Sequence, residues 1–413
     1  MTAARILTVS AADLAERDDA EGRLVAQALR AEGLPIAWRQ VVDEDEADLA
    51  AALAGCLDRP GLVVVLARPG GSSGEIVRRT LARLLGLRLV FSERLLAALE
   101  EAFAARGQAM PRRMDRLALL PQGAELWTVA AGEPGWLLDT SAAAVAVLPL
   151  GSVHLPALVQ KELRAVARER RPGRDVAVRR TLRVAGLGPA EVEERLARWL
   201  GEGGPVTVSA IPVDGDVWVR LDARASSRAV AEAELALVES DILPVLGPDC
   251  YGRDDDQLEA VVGRLLLERG LTVSVAESCT GGLVGHRLTD IPGSSRYFER
   301  GVMVYSNRAK EELLGVPGET LRAHGAVSAP VALAMASGIC RVSGSPCGLA
   351  ITGIAGPDGG SAEKPVGTVY IAVAGPAGVA ARRFLFPGGR AAVKWASSQA
   401  ALDLLRRALL REG

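Results

Sequence analysis

Three stretches of the sequence set reactive side chains among glycines. In the first, Ala276-Glu277-Ser278-Cys279-Thr280-Gly281-Gly282 lies between a strand-like and a helix-like run. Small residues and hydroxyls at a helix start leave backbone N–H groups exposed at its positive end, which suits a phosphate or carboxylate. An ordinary helix capped by Ser278 or Thr280 would carry the same residues. The second stretch is Pro292-Gly293-Ser294-Ser295, followed by Tyr305-Ser306-Asn307-Arg308-Ala309-Lys310. Brought together, Ser295, Tyr305 and Lys310 would give a nucleophile, a proton relay and a base whose pKa burial lowers. Held apart, Ser295 caps a turn, Tyr305 packs in the core and Lys310 is solvated. The third is Thr352-Gly353-Ile354-Ala355-Gly356-Pro357-Asp358-Gly359-Gly360, followed by Lys364-Pro365-Val366-Gly367-Thr368-Val369. Its glycines point to close approach of backbone to a ligand, with a flexible hairpin as the alternative.

The elements that would position these groups follow from periodicity. Strand Leu271–Ala276 and helix Leu283–Thr289 flank the first stretch, and strand Gly301–Tyr305 leads into helix Ala309–Leu314. Helix Pro330–Val342, strands Gly348–Thr352, Gly367–Ala374 and Arg382–Phe386, and helix Ala391–Arg407 complete an α/β unit over 257–413. Residues 172–250 read as a small α+β module. It comprises strand Val176–Val184, helix Pro189–Leu200, strands Val206–Ile211 and Val217–Asp222 around Asp214-Gly215, and helix Arg228–Val245. Gly247–Asp256 reads as a polar linker. Residues 1–171 alternate strands Arg5–Val9 and Leu62–Leu66 with helices Arg23–Glu32, Asp45–Leu57, Ile76–Leu85 and Glu93–Arg106, as in a doubly wound sheet. The charged run Arg168–Arg174 ends that part. The expected fold is thus a three-part α/β chain.

Composition narrows the function. In 413 residues, 48 basic and 50 acidic side chains nearly cancel, which argues against a nucleic-acid groove or a polybasic membrane tail. Five cysteines without a C-x-x-C pair fit a reducing compartment, and no apolar run approaches the ~20 residues that span a bilayer. A cytoplasmic protein is expected. Three histidines (His154, His286, His324) are too scattered to suggest a local metal pair. Only four lysines (Lys161, Lys310, Lys364, Lys394) stand against forty-four arginines. A lysine retained in such a chain marks a place where an amine able to lose its proton is wanted, which arginine cannot supply. Lys310 and Lys364 fall within the stretches above.

Ala276–Gly282, Tyr305–Asn307, Gly325-Ala326-Val327-Ser328, Thr352–Gly360 and Lys364–Val369 resemble, in order and spacing, the C-terminal domain of the competence/damage-inducible protein A (CinA) family. The whole chain resembles the full-length family architecture, with a molybdopterin-binding-like N-terminal domain and a linker module before it. That resemblance implies a nicotinamide mononucleotide (NMN) deamidase, which hydrolyses the carboxamide to nicotinic acid mononucleotide and ammonia without a cofactor or metal. It implies a catalytic Ser295–Tyr305–Lys310 set. The matching pocket residues are Ser278, Cys279, Thr280, Gly281, Asn307, Thr352, Gly353, Gly356 and Arg390. It also implies a homodimer acting on a small-molecule substrate, while the charge balance argues against a membrane or nucleic-acid partner.

The N-terminal part departs from the family. Val9-Ser10-Ala11-Ala12-Asp13-Leu14 replaces Gly-Thr-Glu-Leu-Leu, and Ala67-Arg68-Pro69-Gly70-Gly71-Ser72-Ser73-Gly74-Glu75-Ile76 replaces Gly-Gly-Leu-Gly-Pro-Thr and its Asp pair. Leu148-Pro149-Leu150-Gly151-Ser152 replaces Leu-Pro-Gly-Pro-Pro. Those motifs form the phosphate and metal site behind the family's ADP-ribose pyrophosphatase activity, so this domain is expected to be an inactive scaffold. Asp13, Asp18 and Glu75 are the acidic residues that could substitute.

Three other enzymes can be weighed. Amidase-signature chemistry at Gly70–Gly74 needs an upstream lysine, and the first is Lys161. A short-chain dehydrogenase sets Tyr and Lys four apart, whereas Tyr305 and Lys310 are five apart. A thiol hydrolase on Cys279 would need His286 or His324 as partner. The non-enzymatic alternative is a nucleotide-binding adaptor.

Overall fold

A computed structural model describes residues 3–10, 19–69, 71–127, 133–140, 143–170, 176–201 and 204–411. Asp13, Asp18, Gly70 and residues 171–174 of the charged run lie outside the described residues. The chain divides into two compact units, residues 1–178 with 223–233 and residues 179–222 with 234–413.

The first unit begins with β1 (Ala3–Val9), α1 (Ala20–Ala31), β2 (Ile36–Val42), α2 (Glu46–Leu57), β3 (Gly61–Ala67) and α3 (Gly71–Leu84). There follow β4 (Leu89–Phe91), α4 (Glu93–Ala105), β5 (Leu119–Pro121), β6 (Glu125–Leu126), β7 (Trp136–Asp139) and β8 (Ala144–Pro149). Helices α5 (Leu155–Leu158) and α6 (Arg164–Arg170) end it. The main sheet runs β2-β1-β3-β8-β7-β6; its first four strands are parallel, and β7 and β6 turn back antiparallel. β3 and β8 are buried along their whole length, because helices cover both faces and leave no solvated side for polar alternation. Two apolar clusters, one around Leu29, Val64 and Leu163 and one around Leu53, Val65 and Leu95, fill the two faces.

The middle module contains β9 (Val176–Val184), α7 (Pro189–Leu196), β10 (Val206–Val213), β11 (Asp216–Ala225), α8 (Arg228–Leu246) and β12 (Cys250–Arg253). Its sheet order is β10-β11-β9-β12. The run expected to be a linker therefore holds a strand. Its polar letters hid it, because β12 is an edge strand held to β9 by backbone pairing and by the Asp254 carboxylate accepting from Thr181 N at 2.9 Å.

The C-terminal part comprises α9 (Leu258–Glu268), β13 (Val273–Glu277), α10 (Leu283–Asp290), β14 (Phe298–Met303), α11 (Asn307–Leu314), α12 (Gly318–His324) and α13 (Ala329–Ser343). After them come β15 (Cys347–Gly353), β16 (Thr368–Gly375), β17 (Gly378–Leu385) and α14 (Arg390–Arg411). The sheet order is β14-β13-β15-β16-β17, with the first three strands parallel and the last two antiparallel. One apolar face packs on α9, α10 and α14, the other on α11, α12 and α13. No described helix is long and apolar enough to cross a membrane.

Most of the middle module and the C-terminal part share one compact unit. Polar contacts explain this. Asp216, at the start of β11, accepts from the Tyr251 hydroxyl at 2.7 Å and from Gln399 Nε2 of α14 at 2.6 Å. Asp249 pairs with Arg407 of α14 at 2.7 Å, and the Trp395 indole N–H of α14 donates to the Asp214 carbonyl at 2.7 Å.

Candidate active site

The turn after β13 is organised by Glu277, whose carboxylate is only 1% exposed. It accepts from Gly282 N at 3.0 Å, Val284 N at 3.2 Å and Gly285 N at 2.8 Å. An internal carboxylate thus caps the first turn of α10 and satisfies its dipole. The expectation that those N–H groups await a phosphate is corrected: they are already engaged, and neither Ser278 nor Thr280 is the cap. Gly281 and Gly282 take φ of 62° and 92°, left-handed values that side chains resist.

Ser278 is thereby held at the carboxyl end of β13, facing α11. Lys310 on that helix is 1% exposed, and its Nζ donates to Ser278 Oγ at 3.2 Å, Val304 O at 2.8 Å and Tyr305 O at 3.3 Å. No carboxylate contacts it among the described residues. Burial pushes its pKa below the ordinary lysine value, because the charged form loses water and gains no counter-charge. Helix α11 aims Lys310 inward because Ser306 caps its start, accepting from Ala309 N at 3.1 Å, and Leu314 four residues on buries the same face.

Tyr305 is 66% exposed, and its phenol oxygen accepts from Arg390 Nη2 at 3.2 Å. Arg390 opens α14 and also donates to Gly356 O at 2.9 Å. One turn on, Lys394 places its Nζ 3.6 Å from where a Cβ on Gly281 would lie. Neither cation has a carboxylate partner among the described residues. The pair at a helix N-terminus opposes the helix dipole, an arrangement an anion would relieve. Lys394 escaped the sequence reading, although its rarity and its i,i+4 spacing from Arg390 were signals.

The remaining candidates surround this core. Thr280 is fully buried with its hydroxyl unpartnered, and Thr352 donates to Ala326 O at 2.8 Å. Gly353 ends β15 against Val369, and Gly356 (φ 83°) offers the carbonyl that holds Arg390. Asn307 is exposed at the first position of α11. Lys364 donates to His324 O at 3.0 Å and so ties the glycine-rich loop down. Burial pushes the Cys279 thiol up to about 12, and His286 and His324 are exposed, with no hydrogen bond to it among the described residues. That arrangement does not make a thiolate nucleophile.

Ser295 is elsewhere. It lies exposed on a turn before β14, at the end of the sheet where Val273 N meets Tyr297 O at 2.8 Å. Tyr305 and Lys310 follow the other end, where Glu277 pairs with Met303. Five strand steps separate the two edges, roughly 17 Å. The structure brings Tyr305 and Lys310 together with Ser278, not with Ser295.

The profile of the CinA C-terminal domain matches residues 255–409, and that of the damage-inducible protein CinA KH domain matches 179–252. A competence-damage inducible relative from Moorella thermoacetica is 38% identical over 410 residues, covering 99% of both chains. The chain belongs to the CinA family. A CinA-like protein of Geobacter sulfurreducens is 38% identical over 397 residues, covering 95% of both chains. Among solved structures, the competence/damage inducible protein CihA from Agrobacterium tumefaciens is 43% identical; the match covers 38% of this chain and 97% of that one, with a TM-score of 0.36. Ser278, Lys310 and Arg390 all fall inside the stretch matched to the CinA C-terminal domain.

Proposed function

We propose that this CinA-family chain is an amidohydrolase that converts NMN to nicotinic acid mononucleotide and ammonia, with Ser278 as nucleophile and Lys310 as general base. The observation that carries the reading is a lysine buried without a counter-ion, 3.2 Å from a serine hydroxyl. Desolvation favours the neutral amine, which can take the serine proton near neutral pH; guanidinium cannot.

In this reading Ser278 Oγ attacks the carboxamide carbon while Lys310 Nζ accepts the hydroxyl proton. The tetrahedral adduct collapses, the C–N bond breaks, and Lys310 returns the proton to the departing nitrogen, releasing ammonia. Water then attacks the acyl-serine with Lys310 again as base, giving the carboxylate and restoring Ser278. The Tyr305 phenol, held by Arg390, borders the opening, and Arg390 with Lys394 supplies positive charge for the substrate phosphate.

The test is ammonia release from NMN by the full chain and its Lys310→Arg variant. Ammonia from the parent and near-complete loss in the variant support the reading. Binding of NMN without ammonia release would support the adaptor alternative.

A further inference from the structure

Helix α14 carries both cations assigned to the substrate phosphate, yet its own beginning does little to hold them. Residues 387–392 are exposed, and the first buried side chain of the helix is Val393. No acidic residue lies in the first turn, so Arg390 and Lys394 stand against the helix dipole. A helix end of that kind frays unless something outside the helix fixes it.

The hold comes from the middle module. Three consecutive residues at the turn between β10 and β11, Asp214, Gly215 and Asp216, lie along α14. The Asp214 carbonyl accepts from the Trp395 indole N–H at 2.7 Å, and the Asp216 carboxylate accepts from Gln399 Nε2 at 2.6 Å. Between them, a Cβ on Gly215 would sit 3.8 Å from Ala396 Cα, so the turn rests on the helix backbone itself. Asp214 and Gly215 take φ of 49° and 91°, the left-handed pair of a tight hairpin whose register is fixed. Trp395 and Gln399, at i and i+4, share one face of α14, and Trp395 directly follows Lys394. Near the far end of the helix, Asp249 of the same module pairs with Arg407 at 2.7 Å. That second anchor does not touch the end that carries the cations.

We propose that the β10–β11 turn is a positioning element for substrate binding: by gripping α14 at Trp395 and Gln399 it orders the first turn of that helix and sets Arg390 and Lys394 for the phosphate. The proposal rests on the phosphate role given to those two cations above. Asp214 and Asp216 touch no substrate; they act through Trp395, Gln399 and the helix. The middle module is then part of how the C-terminal part binds its substrate.

Kinetics of the full chain with NMN and nicotinamide riboside, and calorimetric titration with ribose 5-phosphate, test it in three variants. Trp395→Phe keeps an aromatic ring and deletes the indole donor, and Asp216→Asn weakens the hold on Gln399. Each should raise KM for NMN and weaken ribose 5-phosphate binding about three- to ten-fold, with kcat within about two-fold of the parent. KM for nicotinamide riboside, which lacks the phosphate, should not change. Asp249→Asn should lower the melting temperature but leave KM and ribose 5-phosphate affinity as in the parent, which separates positioning from stability. Parent-like KM and affinity in both Trp395→Phe and Asp216→Asn would overturn the proposal. So would an equal KM rise on nicotinamide riboside, the same KM rise in Asp249→Asn, or no binding of ribose 5-phosphate by the parent. With no ammonia release from the parent the deamidase reading falls, and the ribose 5-phosphate affinities alone decide on the turn: weakened in Trp395→Phe and Asp216→Asn they support it, unchanged they overturn it.

Discussion

The Trp395 indole donates to the Asp214 carbonyl at 2.7 Å, so the turn between β10 and β11 grips the helix that carries Arg390 and Lys394. Trp395 also lies under the Arg287 guanidinium, 4.5 Å from its ring centre. Arg287 in turn binds Glu259 at 2.7 Å, Ser398 at 2.8 Å and Gln399 at 2.6 Å. Every proposed catalytic group lies within residues 258–411, so a 257–413 fragment should retain NMN turnover. It strips partners from Gln399 and Arg407 and should be less stable than residues 179–413 by about 3 kcal/mol, roughly 10 °C in Tm. Equal melting temperatures for the two fragments would show that the contacts contribute nothing.

Glu277→Gln keeps the shape of the α10 cap and removes its charge, while Glu277→Ala removes all three hydrogen bonds. The first should lower stability by about 1–2 kcal/mol and the second by about 3 kcal/mol or more. Urea unfolding checks this. The alanine variant should also lose kcat, because the cap fixes the turn that presents Ser278.

Parts of this site were legible beforehand. Apolar runs flanking a Gly-Gly turn placed β13 and α10, whereas α11, expected at Ala309–Leu314, begins at Asn307 because Ser306 caps it. The inward aim of Lys310 was not legible, because its acceptors are two backbone carbonyls and a serine thirty-two positions earlier. The strand before it was expected at Gly301–Tyr305 but lies at Phe298–Met303. That exposed edge strand alternates poorly, so its register was hidden. With the register comes the separation of Ser295 from Lys310, which no local pattern encodes. Lys394 meets Gly281 only through helix packing across more than a hundred residues.

The lowered Lys310 pKa sets a pH signature. Between that value and the unfolded lysine value of 10.5, the unfolded chain binds the proton more tightly. Lys310 therefore costs its full penalty below the depressed pKa, and the penalty fades as pH rises toward 10.5. Lys310→Met should be more stable than the parent near neutral pH, with the difference shrinking in alkali; a constant difference would contradict the shift. NMN turnover should rise along a limb centred below the ordinary lysine range.

Lys394→Met should raise KM for NMN about ten-fold at low salt while leaving kcat within a few-fold, since the charge serves binding and not the proton transfer. The effect should weaken as ionic strength rises. Nicotinamide riboside, lacking the phosphate, should show no such difference between parent and variant; an equal KM change on both would place Lys394 outside the phosphate's reach.

The most direct test compares kcat on NMN for Ser278→Ala and Ser295→Ala in the full chain. The geometry predicts that Ser278→Ala falls by about 10³-fold or more, while Ser295→Ala stays within a few-fold of the parent. Retained turnover in Ser278→Ala, with collapse in Ser295→Ala, would contradict the assignment of Ser278 as the nucleophile served by Lys310.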